Sequence, residues 1–161
     1  MSRLRVIEIG VAVMLTAAAL LFVALTVWAA EPGIAVTDAW ARPTIGEGRT
    51  TAAYMTITNK GAEGDSLQSA RSARAKAVEL HQTKMNPAGV MQMREVEDGL
   101  SIPANGVVEL APGGIHVMVM GLDSALAAGD ELPLTLQFAK AGAIDVAVPV
   151  SVAAPADHPH H

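Results

Sequence analysis

Residues 81–120 read HQTKMNPAGVMQMREVEDGLSIPANGVVELAPGGIHVMVM, and this stretch decides the fold. Turn-forming residues interrupt it at 86–89, 103–106 and 112–114, and the apolar runs between them are short. Short runs bounded by Pro, Gly and Asn are typical of β-strands joined by tight turns. The stretch therefore predicts antiparallel β-structure, including a hairpin that turns at residues 86–89.

The same pattern extends over the rest of the chain from residue 34. No long segment after residue 33 has helical periodicity, and the alternation of short runs and breakers predicts nine strands. Many short strands at this spacing predict an all-β fold, either an antiparallel Greek-key sandwich or a barrel. The length of 161 residues suits one domain, which we assign to residues 31–152. The predicted strands are 34–40, 51–58, 66–71, 76–82, 90–96, 107–111, 115–121, 132–139 and 143–151.

Residues 1–30 form an N-terminal hydrophobic segment. Arg3 and Arg5 precede a run without charge from 9 to 30, which ends in small residues. This is the pattern of a secretory signal, with cleavage after Ala29 as our preferred interpretation. The 22 uncharged residues are also long enough to anchor the chain in the inner membrane if they are not removed. Both alternatives place the domain in the periplasm, with membrane contact only through the uncleaved segment.

Side chains with soft metal donors are concentrated in residues 81–120. This stretch holds five of the six methionines outside the N-terminal segment and both histidines that precede the tail, and the chain has no cysteine. Thioethers and neutral imidazoles suit Cu(I) and are poor ligands for Ca²⁺ or Mg²⁺. The candidate ligands are His81, Met85, Met91, Met93, His116, Met118 and Met120.

The spacing of these donors places them on common strand faces. Met91 and Met93 lie two residues apart, as do His116 and Met118, so each pair shares one face of a strand. A hairpin centred on Pro87 would set His81 opposite Met93, with Cβ atoms about 4.5–5.5 Å apart. The strand that carries His116 completes the donor set if it lies alongside. The alternative is a structural or ligand-binding β-sandwich in which the methionines only fill the core.

These residues resemble the periplasmic copper chaperone family called PCu(A)C. The resemblance covers residues 34–150 and includes a His, Met, His-x-Met pattern in that order. The matching segments are Asp38-Ala39-Trp40-Ala41-Arg42, Ala52-Ala53-Tyr54-Met55, Val78-Glu79-Leu80-His81, Met85, Met91-Gln92-Met93-Arg94, Ile102-Pro103-Ala104, Leu110-Ala111-Pro112-Gly113-Gly114 and His116-Val117-Met118-Val119-Met120-Gly121-Leu122.

The resemblance implies a cupredoxin-like sandwich that binds Cu(I). By the family pattern the ligands are His81, Met93, His116 and Met118, with Met91 as an alternative or exchanging ligand. Met85 and Met120 are further candidates. The resemblance also implies delivery of Cu(I) to the copper-accepting subunit of cytochrome c oxidase, toward its dinuclear copper centre, alongside a thiol-dependent copper chaperone. General copper buffering or tolerance in the periplasm is the alternative function.

The tail, residues 153–161, is rich in Ala and Pro and ends in a histidine cluster. His158, His160 and His161 are imidazole donors, which suit Cu(II), and such composition is typical of metal binding. Some PCu(A)C proteins carry similar extensions that bind Cu(II). The tail therefore predicts a second copper site, for the oxidised ion.

Charge and composition argue against several other functions. The net charge of −5 does not favour nucleic acid, which attracts a basic surface. A blue-copper electron-transfer site needs a cysteine thiolate, which the sequence lacks. Two domain histidines without a serine or cysteine partner make a weak case for a hydrolase. We therefore expect a protein that is not an enzyme.

Overall fold

In the computed structural model, which describes residues 33–154, the polypeptide forms ten β-strands and no helix. The prediction of an all-β antiparallel fold is confirmed. No helix of this described part is long and apolar enough to cross a membrane. The strands are β1 Ile34–Ala41, β2 Thr51–Asn59, β3 Asp65–Arg71, β4 Ala75–Met85, β5 Met91–Glu95, β6 Leu100–Ile102, β7 Val107–Leu110, β8 Ile115–Leu122, β9 Glu131–Phe138 and β10 Gly142–Pro149.

The strands form two antiparallel sheets. The larger has the order β1-β2-β8-β4-β5, with β7 also paired to β2, and the smaller has the order β10-β9-β3-β6. β2 pairs with two strands along the same edge. Its residues 51–53 pair with β8, and its residues 55–58 pair with β7. This arrangement leaves β8 in the interior of the larger sheet and β5 at one of its edges.

Alternating side chains from both sheets meet in one hydrophobic core. On β9 the residues Leu132, Leu134, Leu136 and Phe138 are buried, while the residues between them are more exposed. The same alternation on β8 directs Val117 and Val119 to the core, and it places His116 and Met118 on the opposite, outer face of the larger sheet. The outer face is therefore free to carry function while the inner face stabilises the sandwich.

All nine predicted strands are present, and one strand was not predicted. The strand that was not predicted, β6, has three residues and is bounded by Gly99 and by Pro103. Its pairing with β3 crosses more than 30 positions of sequence, so no local pattern indicates it. The hydrophobic segment 1–30 and the tail from residue 155 lie outside the described residues, and the limits of the domain stay predictions.

A three-residue turn joins β4 to β5. The Asn86 N–H donates to Val90 O at 2.9 Å, and the Asn86 side chain accepts bonds from the N–H groups of Ala88 and Val90. Gly89 has φ 80°, the left-handed conformation that such a turn needs at this position. The turn is therefore centred on Ala88, and Met85 pairs with Met91.

The position of this turn corrects one sequence prediction. His81 lies opposite Glu95 and not opposite Met93, which instead pairs with Thr83. The prediction placed the centre of the turn at Pro87, one residue too early, because Asn86 is not part of the loop but pairs with Val90 and closes it. A shift of one residue in the centre moves each partner by two, so Met93 stays on the same face of the sheet as His81.

Candidate metal centre

The two histidines of the domain lie directly opposite each other. β8 pairs with β4, and His116 is the cross-strand partner of His81. Their ring centroids are 6.2 Å apart. Because an imidazole nitrogen lies about 2.0–2.1 Å from a bound metal ion, two rings at this separation are close enough to share one ion. The expectation that the strand of His116 lies alongside the hairpin is confirmed.

Two thioethers lie near this histidine pair on the same face. Met118 follows His116 by two residues on β8 and is the partner of Glu79. Met93 lies on β5, two residues away from Glu95, the residue opposite His81. At about 3.4 Å of rise per residue, Met93 is displaced from that position by about 7 Å along the strand, which is within the combined reach of the two side chains. The fold therefore places the four predicted ligands on one face of three neighbouring strands, β5, β4 and β8.

His81 has one ring nitrogen available for a metal ion. Its Nε2 is 2.9 Å from Oε2 of Glu79, and because an ionised carboxylate only accepts hydrogen bonds, Nε2 carries the hydrogen. Nδ1 is the single buried side-chain polar atom without a hydrogen-bond partner among the described residues. An unpartnered buried nitrogen costs free energy unless something binds it. Nδ1 of His81 thus has the position and the lone pair of a metal ligand.

In His116, too, a hydrogen bond at one ring nitrogen leaves the other nitrogen with its lone pair. Its Nδ1 donates to the carbonyl oxygen of Gly114 at 3.3 Å, which leaves the lone pair on Nε2. Histidines that bind metals commonly donate their other ring N–H to a carboxylate or to a backbone carbonyl. His81 and His116 show one example of each. Glu79 is the functional residue that the ligand pattern missed, although its place two residues before His81 puts it on the ligand face.

Burial keeps His116 uncharged. The residue is 4% exposed, and loss of solvation lowers the pKa of its imidazole below the ordinary value of 6.5. Burial has the largest effect on this pKa. The hydrogen bond to Gly114 raises the pKa, and the electrostatic interaction with His81 lowers it. His116 is therefore neutral at pH 7, which is the state that binds metal.

Aromatic side chains close the site on the side away from the hairpin. Trp40 and Tyr54 are buried on the outer face, with ring centroids 4.7 Å apart, and the ring of Tyr54 is 6.2 Å from that of His116. The guanidinium of Arg42 lies 5.7 Å from the centre of the Tyr54 ring. These groups leave the hairpin side as the open approach to the site.

The remaining methionines fall into three different environments. Met85 and Met91 form the cross-strand pair next to the turn and are largely exposed. Met120 pairs with Ala77, which is four residues along β4 from His81. Met55 is 2% exposed and belongs to the core, so the interpretation of methionine as a filler holds for this residue.

The donor set does not suit a hard metal ion. Within residues 33–154 no group of three or more His, Cys, Asp or Glu side chains is arranged to hold a metal. A site that uses only imidazole and carboxylate donors is therefore absent from this part of the chain. The soft donors on this face are imidazoles and thioethers, which are ligand types that suit Cu(I).

The protonation of the histidines gives a pH prediction. A proton competes with Cu(I) for imidazole but not for thioether, so Cu(I) affinity should be constant from pH 8 to pH 7 and should weaken at lower pH. Because the pKa of His116 is lowered, competition at that ring begins below its ordinary value of 6.5. Competition with a chromogenic Cu(I) chelator at several pH values measures this dependence. A profile that is flat down to pH 5 contradicts a site with histidine ligands.

Protonation of His116 also affects the stability of the metal-free fold. The unfolded chain takes up a proton at the ordinary histidine pKa, whereas folded His116 does so only at lower pH. Between these two values the unfolded state binds more protons, and the free energy of unfolding of the metal-free protein falls as the pH falls. Above the ordinary histidine pKa the contribution of His116 to the free energy of unfolding is fully present.

An antiparallel sandwich that presents two histidines and two methionines on one outer face defines the class of PCu(A)C-type domains. Among solved structures, the copper-bound PCuAC domain from PmoF2 is 27% identical with a TM-score of 0.60, covering 76% of this chain and 94% of that one. Cu(I)-bound DR1885 from Deinococcus radiodurans is 34% identical with a TM-score of 0.53, covering 71% of this chain and 77% of that one.

Sequence relatives place the chain in a named family. The family model "Putative lipoprotein LpqE-like" matches residues 34–150, and the chain belongs to this LpqE-like family. The protein named "Putative lipoprotein Lxx21020", from Leifsonia xyli subsp. xyli, is 38% identical over 118 residues, which are 73% of this chain and 69% of the relative. The suspected PCu(A)C relationship is confirmed.

Proposed function

We propose that the protein is an exported chaperone that binds Cu(I) through His81, Met93, His116 and Met118. The observation that supports this most directly is the buried Nδ1 of His81, which has no hydrogen-bond partner and lies on the strand directly paired with His116. A metal ion supplies the missing partner. Solved relatives of the same fold hold copper. A chaperone role agrees with the open hairpin side of the site, where Met93 is exposed, because a protein that delivers an ion must let an acceptor reach its ligands.

The acceptor in this proposal is the copper-accepting subunit of cytochrome c oxidase, at its dinuclear copper centre. A thiol-dependent copper chaperone would act beside it. The transfer moves a Cu⁺ ion from neutral donors to thiolates, which bind Cu(I) strongly, so neither electrons nor protons need to leave the donor site. The protein is accordingly a carrier and not an enzyme.

We place this function in the periplasm, on the basis of segment 1–30. Lxx21020 is named a lipoprotein, and that name agrees with an exported protein. The 161 residues contain no cysteine, the residue that carries the lipid of a bacterial lipoprotein, so lipid attachment is not carried over to this chain.

A Cu(I) titration under reducing conditions tests the proposal. We expect one tightly bound equivalent, and we expect that equivalent to move to the purified copper domain of the oxidase subunit. Tight binding without transfer supports copper buffering instead. Absence of tight binding supports a structural sandwich. The chelator competition assay measures binding, and the copper content of the oxidase domain after it is separated again measures transfer.

The tail is proposed as a separate Cu(II) site formed by His158, His160 and His161. These residues lie outside the described part of the chain, so the proposal depends on their chemistry alone. We expect deletion of residues 157–161 to remove one Cu(II) equivalent and to leave Cu(I) binding unchanged. Cu(II) titration followed by electron paramagnetic resonance measures this, and an unchanged Cu(II) equivalent places that site in the domain.

A further inference from the structure

The outer end of the β4–β5 hairpin carries a close pair of methionines. Met85 and Met91 are direct cross-strand partners. The backbone bonds from Asn86 N to Val90 O and from Val96 N to Leu80 O identify the hydrogen-bonded pairs of this ladder. Met85 and Met91 fall on the alternate, non-hydrogen-bonded pairs, whose Cα atoms are only about 4.5 Å apart and whose side chains are closest. The two thioethers therefore lie side by side on one face.

These methionines have no packing role that explains them. Met85 is 67% exposed and Met91 is 52% exposed, whereas the core methionine Met55 is 2% exposed. A flexible thioether that fills gaps belongs in a core, and an exposed hairpin has no gap to fill. Their exposure thus argues against the alternative in which the methionines are only core residues.

The pair is continuous with the histidine site. Met93, which is 53% exposed, is the next residue on the same face of β5 after Met91, about 7 Å along the strand. Toward the sheet interior, the face continues to His81 and then to His116. Soft donors therefore extend without interruption from the exposed turn to the buried histidine.

We propose that Met85 and Met91 form a second, weaker Cu(I) site at the tip of the hairpin, which loads and unloads the inner site through Met93. This inference rests on the proposed function, since it assumes that Cu(I) is the cargo. Two neutral thioethers select Cu(I) over harder ions. The outer site lacks imidazole and is exposed to water, and for both reasons it holds the ion less tightly than the inner one.

The transfer between the two sites needs no other reactant. The thioether sulfur of Met93 forms a bond to Cu(I) as a bond to Met91 or Met85 breaks, and the charge of the ion does not change. No proton moves, because a thioether has none to release. Exchange among the three methionines replaces one thioether by another, and the neutral rings of His81 and His116 then replace the outer thioethers as the ion enters the inner site.

The test uses the full chain with its methionine methyl groups labelled with ¹³C, titrated with Cu(I) under reducing conditions. The first equivalent should shift the methyl resonances of Met93 and Met118. Further Cu(I) should then shift those of Met85 and Met91. In the double variant Met85→Leu and Met91→Leu, the second equivalent should be lost, the first should keep the affinity of the parent, and loading from a Cu(I) chelator should be slower.

Met120→Leu serves as the matched control, because it removes a thioether from the same face at the far end of β8. It should retain both equivalents and the loading rate. The inference is overturned if the double variant binds and loads like the parent, or if the methyl groups of Met85 and Met91 respond only when the oxidase domain is added, which would make them a protein-docking surface. If the parent binds no Cu(I) at all, the proposed function itself fails, and the two failures are thereby distinguished.

Discussion

Replacement of Met118 by leucine, or of His116 by alanine, is expected to abolish tight Cu(I) binding while the fold survives. Both residues lie on β8 in the interior of the larger sheet, and the other thioether on this face of β8, that of Met120, lies four residues from His116. Loss of an outer-shell partner alone typically weakens metal binding by about 10–100-fold, so loss of a direct ligand should exceed about 100-fold. Chelator competition measures the affinity.

Thermal unfolding of the metal-free variants provides the fold control. Methionine and leucine have similar volumes, so Met118→Leu should cost less than about 1.5 kcal/mol of stability. His116→Ala removes a buried ring and should cost more, which makes Met118→Leu the cleaner variant. Met120→Leu, on the same strand and face, should bind Cu(I) like the parent. Folded Met118→Leu and His116→Ala proteins with the affinity of the parent would falsify the ligand assignment.

Met93→Leu is expected to weaken Cu(I) binding far more than Met91→Leu does. Met93 lies two residues from the position opposite His81, and Met91 lies four residues from it. These separations correspond to about 7 Å and about 14 Å along the strand, and only the shorter one lets a methionine side chain share an ion with His81. Both residues are similarly exposed, so both variants should fold equally well.

The same chelator competition, carried out on the two single variants side by side, decides the order. If Met91→Leu has the larger effect, the third ligand moves two residues toward the turn and the inner site is built around the hairpin tip. If neither variant changes the affinity, the site is held by His81, His116 and Met118 alone.

The strands were predictable where local pattern determines them. β9 has four buried residues in strict alternation, and β10 follows a Gly turn, so period two and turn chemistry were sufficient. β6 could not be predicted, since a three-residue strand exists only through its pairing with β3. The neighbour order β2-β8-β4 is likewise a tertiary property, and no spacing in the sequence indicates it.

In the candidate site, too, local features could be predicted from the sequence and tertiary pairings could not. The shared face of His116 and Met118 follows from their spacing, which is local. The pairing of His81 with His116 joins positions 35 residues apart and emerges only from the assembled sheet. The His81–Met93 register depended on the centre of one loop, and taking Pro87 instead of Ala88 as that centre was enough to misplace it. The error preserved the face, so His81 and Met93 still lie on the same side of the sheet.

The placement of the four ligands sets an order in which they can leave the ion. Two of them belong to β8, which has a neighbouring strand on each side, and His116 is fixed further by its bond to Gly114. Met93 belongs to the edge strand β5, has no neighbour beyond it in the described sheet, and is half exposed. For an acceptor that reaches the proposed inner site directly and not through the hairpin tip, an incoming thiolate would displace Met93 first, while His116 and Met118 would retain the ion until a second acceptor bond has formed. Release then proceeds as a handover in which the copper ion is never free.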